Sequence, residues 1–455
     1  MSGNKIKTNP IRRNKRSENE SVPLTVHLTT LGCSKNQYDS EILMGQLQAN
    51  GVQLTDDPLQ ADTIIINTCG FITPAKQESI EAILEAGEIK KRKPNTRVLV
   101  CGCLSQRYME DLKKDIPEVD AYFGTEDFEN ILHYLKLHPR SPEHLYEHRL
   151  LSRPAHLAYL KISEGCNHEC AFCAIPLIRG RHRSRPQEEI LREAEMLAER
   201  GVKELIVIAQ DTTYYGIDLY GEQRILPLLQ ELEQIDGLRW IRLHYTYPTT
   251  FPDSLIELMA RSEKIVHYAD LPVQHITDSM LRVMKRGGSS RRIRQILRNL
   301  RRQIPDVALR TTLIVGHPGE TESDFLQLKE FVEEIRFDRL GVFVYSPEEG
   351  TAAYRLPHPP QEVAEARYRE IMEIQQKISL EKNLAKVGKI YQVLIDDVFP
   401  EDGYAVGRTY ADSPEIDNEV LVEPLHRPVK PGDFYNVKMT DAMEYQLIGQ
   451  LVEDE

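Results

Sequence analysis

From Leu24 onward the chain alternates short β-branched apolar runs with longer stretches whose apolar positions recur at helical spacing. Between 24 and 137 the pattern predicts strands near 24–31, 62–67, 97–101 and 119–123, with helices near 38–50, 74–92, 105–114 and 127–136. Such alternation builds a parallel sheet covered on both faces, so this block reads as a small doubly wound α/β domain. Residues 138–154 (HPRSPEHLYEHRLLSRP) are polar and proline-punctuated and read as a linker. The alternation resumes over 155–383, with strands near 157–162, 204–209, 239–245, 266–271, 308–315 and 339–345. Six βα units make a partial barrel, laterally open, with its active site at the strand C-termini. A long helical pattern over 361–388 ties it to residues 384–455, where short strand runs (YQVLI, VLVEPL, FYNVKM) alternate with PEDG, ADSPEIDN and KPGD turns. That last block reads as a small antiparallel β-barrel. Residues 1–23 are basic, with too few apolar groups to fold, and read as a disordered tail.

Composition narrows the class. The chain has 455 residues, 41% of them hydrophobic, enough for several cores. No apolar run approaches membrane-spanning length, and the polar, basic N-terminus lacks an apolar signal region, so a cytoplasmic protein with no membrane partner is expected. Seven cysteines, an odd number at ligand-like spacings, point to metal binding in a reducing compartment and away from a disulfide framework.

Three of them, Cys166, Cys170 and Cys173, lie in SEGCNHECAFCAIP as a C-x3-C-x2-C triplet. Three thiolates hold a cuboidal four-iron cluster and leave one iron open. An open iron can chelate the amino and carboxylate groups of S-adenosylmethionine and deliver the electron that cleaves its sulfonium to a 5'-deoxyadenosyl radical. Phe172, beside the last cysteine, is placed to cover cluster and adenine. The alternative, a zinc knuckle completed by His168, lacks the paired C-x2-C elements of a closed four-ligand site.

The remaining cysteines all lie upstream, at Cys33, Cys69, Cys101 and Cys103, where apolar runs give way to polar turns. Strand C-termini of an open parallel sheet converge on one crevice, so thiols distant in sequence can meet there. Cys33, Cys69 and Cys103 are the predicted ligands of a second cluster. Cys101, two residues before Cys103, is expected to share its face one step deeper, as a buried thiol rather than a fourth ligand.

The segments LGCSKNQYDSE, NTCGF, GCLSQRY, KISEGCNHECAFCAIPLIRGRHRSR, QDTTYYG, LIVGHPGET and YSPEEGT together resemble the radical S-adenosylmethionine methylthiotransferase family over nearly the whole chain from about Leu24. GCSKN, QDTTYYG and ADSPEIDNEV are similar to its branch that modifies the β-carbon of an aspartate in small-subunit ribosomal protein twelve. The resemblance implies two four-iron clusters, S-adenosylmethionine as source of both methyl group and radical, and a flavodoxin-like or ferredoxin-like electron donor. It also implies a C-terminal TRAM domain. CGC stands where a single cysteine is more usual in the family. Gly316 and Glu320 of LIVGHPGE resemble the segment lining the adenosyl group, and Gln210, with Asp211, faces the same rim as a candidate cofactor contact. PGE is equally a good helix start. His244, His267, His275 and His317 lie near strand ends and read as satisfied polar residues rather than bases.

Charge bears on the partner. Residues 385–455 carry four Lys and two Arg against fifteen Asp plus Glu, a net −9 within a chain total of −13. RNA binding calls for a basic face, so a basic protein substrate is favoured over transfer RNA. Of two basic stretches, RGRHRSR at 179–185 could hold the substrate or the cofactor carboxylate near the open iron, and KRGGSSRRIRQILRNLRR at 285–302 could touch ribosomal RNA or be a plain solvated face. The rival functions are a transfer-RNA adenosine methylthiotransferase and, in another class, a non-catalytic iron–sulfur protein that binds ribosomes.

Overall fold

The computed structural model describes residues 23–152 and 155–452. The predicted basic tail lies almost wholly outside that range. The N-terminal block contains β1 (Thr25–Thr30), α1 (Ser34–Ala49), β2 (Gln53–Leu54), β3 (Thr63–Thr68), α2 (Thr73–Arg92), β4 (Arg97–Gly102), α3 (Cys103–Asp115), β5 (Ala121–Tyr122) and α4 (Phe128–Tyr134). Its sheet runs β2-β1-β3-β4-β5, all parallel. β2, too short to leave a pattern in sequence, is an additional strand at the edge. The alternation of β3 and β4 splits their side chains between two cores. Ile65, Leu99 and Cys101 pack with Leu43 and Leu47 on one face; Ile64, Ile66, Val98 and Val100 pack with Ile83 and Leu112 on the other. Strand order reverses between β1 and β3, which opens a crevice at their C-terminal ends.

The middle block supplies β6 (Leu157–Lys161), the two-residue ribbon strands β7 (Ser163–Glu164) and β8 (Arg183–Ser184), then β9 (Glu204–Ile208), β10 (Trp240–Leu243), β11 (Tyr268–Asp270), β12 (Ala308–Val315) and β13 (Arg339–Val344). β6-β9-β10 and β11-β12-β13 form two parallel sheets, and a single bridge between Ile241 and Ile265 carries the wall from one to the other. This is the expected six-stranded open barrel. Around it lie α5 (Ile175–Arg179), α6 (Gln187–Glu199), α7 (Ile217–Tyr220), α8 (Ile225–Leu232), α9 (Asp253–Arg261), α10 (Asp278–Val283), α11 (Ser290–Gln303), α12 (Glu322–Ile335) and the long α13 (Gln361–Leu384).

The C-terminal strands β14 (Ile390–Phe399), β15 (Tyr404–Arg408), β16 (Glu419–Val422), β17 (Phe434–Ala442) and β18 (Gln446–Leu451) close a barrel in the order β14-β15-β16-β18-β17. It is not wholly antiparallel as expected. β16 and β18 pair in parallel, because the chain crosses the barrel end through β17 before returning to β16.

Two further expectations change. Residues 138–152 of the predicted linker are packed rather than loose: Arg149 is buried between Glu193 (2.8 Å) and Glu41, and Gly45 of α1 has no room for a Cβ because the His148 carbonyl lies against it. The acidic C-terminal module, meanwhile, is not simply a charged surface. Asp412 pairs with Arg339 of β13, Asp417 accepts from Tyr268 (2.7 Å), and Asp396 pairs with Arg408 and His156. These acids dock the small barrel onto the large one. Glu415, Asp397, Glu401 and Asp402 stay exposed. The α11 arginines likewise find acids within the chain, Arg294 and Arg298 at Glu334 and Arg301 at Asp338.

Candidate active site

Three of the four upstream cysteines follow strand ends, and Cys101 lies within β4. Cys33 is the residue before α1, Cys69 follows β3, and Cys103 opens α3 directly after β4. A Cβ added to Gly32 would come within 2.9 Å of the Cys69 sulfur, and Cys103 feels both Cys33 and Cys69 electrostatically, so the three thiols are neighbours. Cys101 does not share the face of Cys103. Gly102 between them has φ +94° and turns the chain, leaving Cys101 in the core beside Leu99 while Cys103 packs on Ala174 and Ile178 of the barrel block. Burial pushes the Cys103 thiol up to about 12 and raises Cys69. A metal binding to these thiols would therefore have to displace protons.

Cys166, Cys170 and Cys173 sit in the loop between β7 and α5. Gly165, at φ +75°, lies so close to the Arg181 carbonyl that a Cβ would stand 2.2 Å from it, which fixes the start of the loop. Burial pushes Cys166 up to about 11 and Cys173 up to about 12. Arg286, itself buried, donates to the Cys170 sulfur (3.6 Å), and the Tyr247 hydroxyl lies 3.7 Å from the same atom. His168 is not directed as a zinc ligand. Its ring stacks on Tyr247 at 3.7 Å, and its Nε2 is 2.7 Å from Asp211.

The barrel rim around this loop holds buried polar atoms without hydrogen-bond partners among the described residues: Gln210 Oε1, His317 Nε2, Tyr345 OH, Arg286 Nε and the pair His275 Nε2 and Glu320 Oε1, 3.4 Å apart. Buried polar groups are nearly always satisfied, so such a cluster at the strand C-termini fits a polar cofactor such as S-adenosylmethionine. Phe172 lies in this group, edge-on to His317 at 6.2 Å and packed with Tyr345. Three of the proposed contacts also have structural duties. Glu320 accepts from the Gly316 amide (2.5 Å) and from Arg367 (2.8 Å), and Gly316, at φ +75°, is crowded by Ala364 of α13. Gln210 donates to Glu164 (2.7 Å). Sequence reading missed Tyr247, set His317 aside, and flagged Arg286 only as part of the basic stretch 285–302; the structure brings Arg286 to a cysteine sulfur.

The two triplets belong to different blocks but lie against each other. α3 packs on α5, and buried Arg179 at the end of α5 spans the boundary. Its Nη1 donates to Asp39 (3.0 Å) and Glu164 (2.9 Å), and its Nη2 to Asn36 (2.6 Å) and the Cys103 sulfur (3.5 Å). Burial opposes ionisation of Glu164, but Lys161 and Arg179 overcome it and hold the carboxyl down to about 2. On the other side, buried Glu348 after β13 takes Lys76 (2.9 Å) and Arg107 (2.6 Å) from α2 and α3. The N-terminal block thus grips both end strands of the open barrel. Among the described residues, no helix is long and apolar enough to cross a membrane.

Residues 160–332 match the model of the radical SAM superfamily, residues 387–452 that of the TRAM domain, and residues 25–124 that of the uncharacterized protein family UPF0004. Among solved structures, the radical S-adenosylmethionine methyltransferase TsrM from Kitasatospora setae, with cobalamin and a [4Fe-4S] cluster bound, is similar in fold: TM-score 0.55 at 14% identity, over 73% of this chain and 77% of that one. The fold is therefore that of a radical SAM enzyme carrying a TRAM barrel. Ribosomal protein uS12 methylthiotransferase RimO of Aquifex aeolicus is 51% identical over 94% of this chain and 97% of its own length. That of Flavobacterium johnsoniae is 50% identical over 93% and 97%. The chain belongs to the RimO family of radical SAM methylthiotransferases.

Proposed function

We propose that the protein methylthiolates the β-carbon of an aspartate in ribosomal protein uS12, with one four-iron cluster at Cys166, Cys170 and Cys173 and another at Cys33, Cys69 and Cys103. When bound, these groups and S-adenosylmethionine supply hydrogen removal from an unactivated carbon, which no side-chain base achieves, and the methylthio group that replaces it. The observation that carries the reading is the juxtaposition of two thiol triplets across one boundary, with buried Cys103 on Ala174 and Ile178.

The chain's own residues then have separable duties. Arg286 and Tyr247 hold Cys170 in place, and His168, fixed by Asp211, stacks on Tyr247 beside the loop. Gln210, Gly316, Glu320, His317 and Phe172 shape the cofactor's rim. Docking of the N-terminal block on the barrel buries Cys69, Cys103 and Cys170 while Cys33 stays exposed, so one side of the space between the triplets remains open to a large substrate. The exposed acids of the small barrel favour a basic protein over transfer RNA. A low-potential donor, flavodoxin-like or ferredoxin-like, and a cytoplasmic setting complete the proposal.

Mass spectrometry of uS12 and of transfer RNA from cells lacking the chain tests it. A loss of the mass of one methylthio group on uS12, with methylthiolated adenosines intact, is expected. Loss of the modified nucleoside instead, with uS12 unchanged, rejects this reading in favour of the transfer-RNA one.

A further inference from the structure

Arg179 is the most fully committed charge at the boundary between the two thiol triplets. Its side chain is 2% exposed, and its two terminal nitrogens contact four groups: Asp39 and Asn36 of the N-terminal block, Glu164 of the barrel block, and the Cys103 sulfur. Lys161 completes the charge set by pairing with Asp39 and with Glu164 (2.8 Å). Two cations and two carboxylates therefore balance, and of the two cations it is the guanidinium that also donates to a cysteine sulfur. A guanidinium's planar fork suits this task, since it can point one nitrogen at the carboxylates and the other at the sulfur while remaining charged. Hydrogen bonds and positive charge at a ligand sulfur favour the more negative, reduced state of an iron–sulfur cluster.

We infer that Arg179, through its contact with Cys103, is a positioning residue that raises the reduction potential of the cluster held by Cys33, Cys69 and Cys103, while locking that cluster in register with the radical site. The inference rests on the assignment of those three cysteines as ligands.

The test uses full-length protein with Cys166, Cys170 and Cys173 replaced by Ala, so that a single cluster is titrated by electron paramagnetic resonance at controlled potentials. In that background Arg179→Gln should lower the midpoint by at least about 59 mV, a tenfold change in the oxidised-to-reduced ratio for a one-electron couple. Because Arg179→Gln leaves Asp39 and Glu164 sharing one cation, the double variant Arg179→Gln/Asp39→Asn restores charge balance and guards against misfolding; it should show the same downward shift. An unchanged midpoint in the double variant, at full iron content, overturns the inference by making net charge or nothing the cause. A wild-type-Arg179 background that binds no iron would instead overturn the ligand assignment on which the inference rests.

Discussion

Cys166, Cys170 and Cys173 leave a single loop within eight residues of chain, whereas Cys33, Cys69 and Cys103 come from the ends of three different strands. The first set is defined by spacing and is built mainly by the loop's own turns, such as the amide of Cys173 on the Cys170 carbonyl at 3.0 Å, with Arg286 and Tyr247 steadying Cys170 from the barrel. The second set exists only once β1, β3 and β4 are aligned in a parallel sheet, because strand register alone brings their C-termini to one crevice. A local set can survive disturbance elsewhere. An assembled one inherits every error of the sheet that builds it.

The sharpest way to break this comparison is to remove each set. Replacing Cys166, Cys170 and Cys173 together with Ala should abolish 5'-deoxyadenosine formation and reduce iron from about eight to about four per chain after anaerobic reconstitution. Product analysis and iron assay decide it, and retained cleavage would reassign the radical site.

Within the assembled set, Cys103→Ala should abolish the methylthio product while 5'-deoxyadenosine still forms. Cys101→Ala should keep the product and cost about 1 kcal/mol in stability, since it only trims a buried apolar thiol. Chromatography of the products together with urea unfolding checks both. The reverse pattern would exchange the two cysteines.

Glycine substitutions compare the sets without touching a sulfur. Gly165→Ala meets the Arg181 carbonyl and should deplete the radical-site iron; Gly102→Ala meets Asn67 and Thr68 and should deplete the other. Each position has positive φ, so strain of about 1–2 kcal/mol adds to the steric conflict. Iron content measured in each background of three alanines tells which cluster is lost; equal loss from both would mean the sets are not independent.

The acidic module repeats the contrast between local and assembled roles at lower energy. Asp412→Ala strands buried Arg339 and should destabilise the barrel-to-barrel contact by about 3–5 kcal/mol. Reversing exposed Asp397, Glu401 and Asp402 to Lys should change stability by no more than about 0.5 kcal/mol per site, yet weaken uS12 association at low salt, where screening is least. Thermal unfolding and binding assays across a salt series separate the two effects.

A further expected effect is in pH. His244 hydrogen-bonds Ser413 of the small barrel (2.9 Å), and burial pushes its pKa down from 6.5 to about 3. The unfolded chain binds this proton at pH values where the folded chain does not. Stability from His244 is therefore complete above 6.5 and falls as pH drops toward 3, by at most about 1.4 kcal/mol per pH unit. Melting curves of His244→Gln should be flatter than wild type across pH 6.5 to 4.5; identical slopes would remove His244 from the pH response.

The strand–helix alternation, the six-unit barrel, the small C-terminal barrel and both cysteine triplets were legible in the sequence, because each depends on periodicity or on a residue type whose chemistry is narrow. A thiol at a strand end remains recognisable wherever the sheet carries it. Tertiary structure alone decided which charges are surface and which are mortar. Asp396, Asp412 and Asp417 look like their exposed neighbours until β13, β11 and β15 present arginines and a tyrosine to them. It also decided that Cys101 and Cys103 part company at Gly102, since a single positive φ reverses what strand alternation implies. Arg179 and Arg286 acquire their sulfur contacts across chain separations that no local pattern encodes. Spacing along the chain fixes chemistry that is local, whereas an ion pair or a hydrogen bond to sulfur depends on distances set by the packing of the whole.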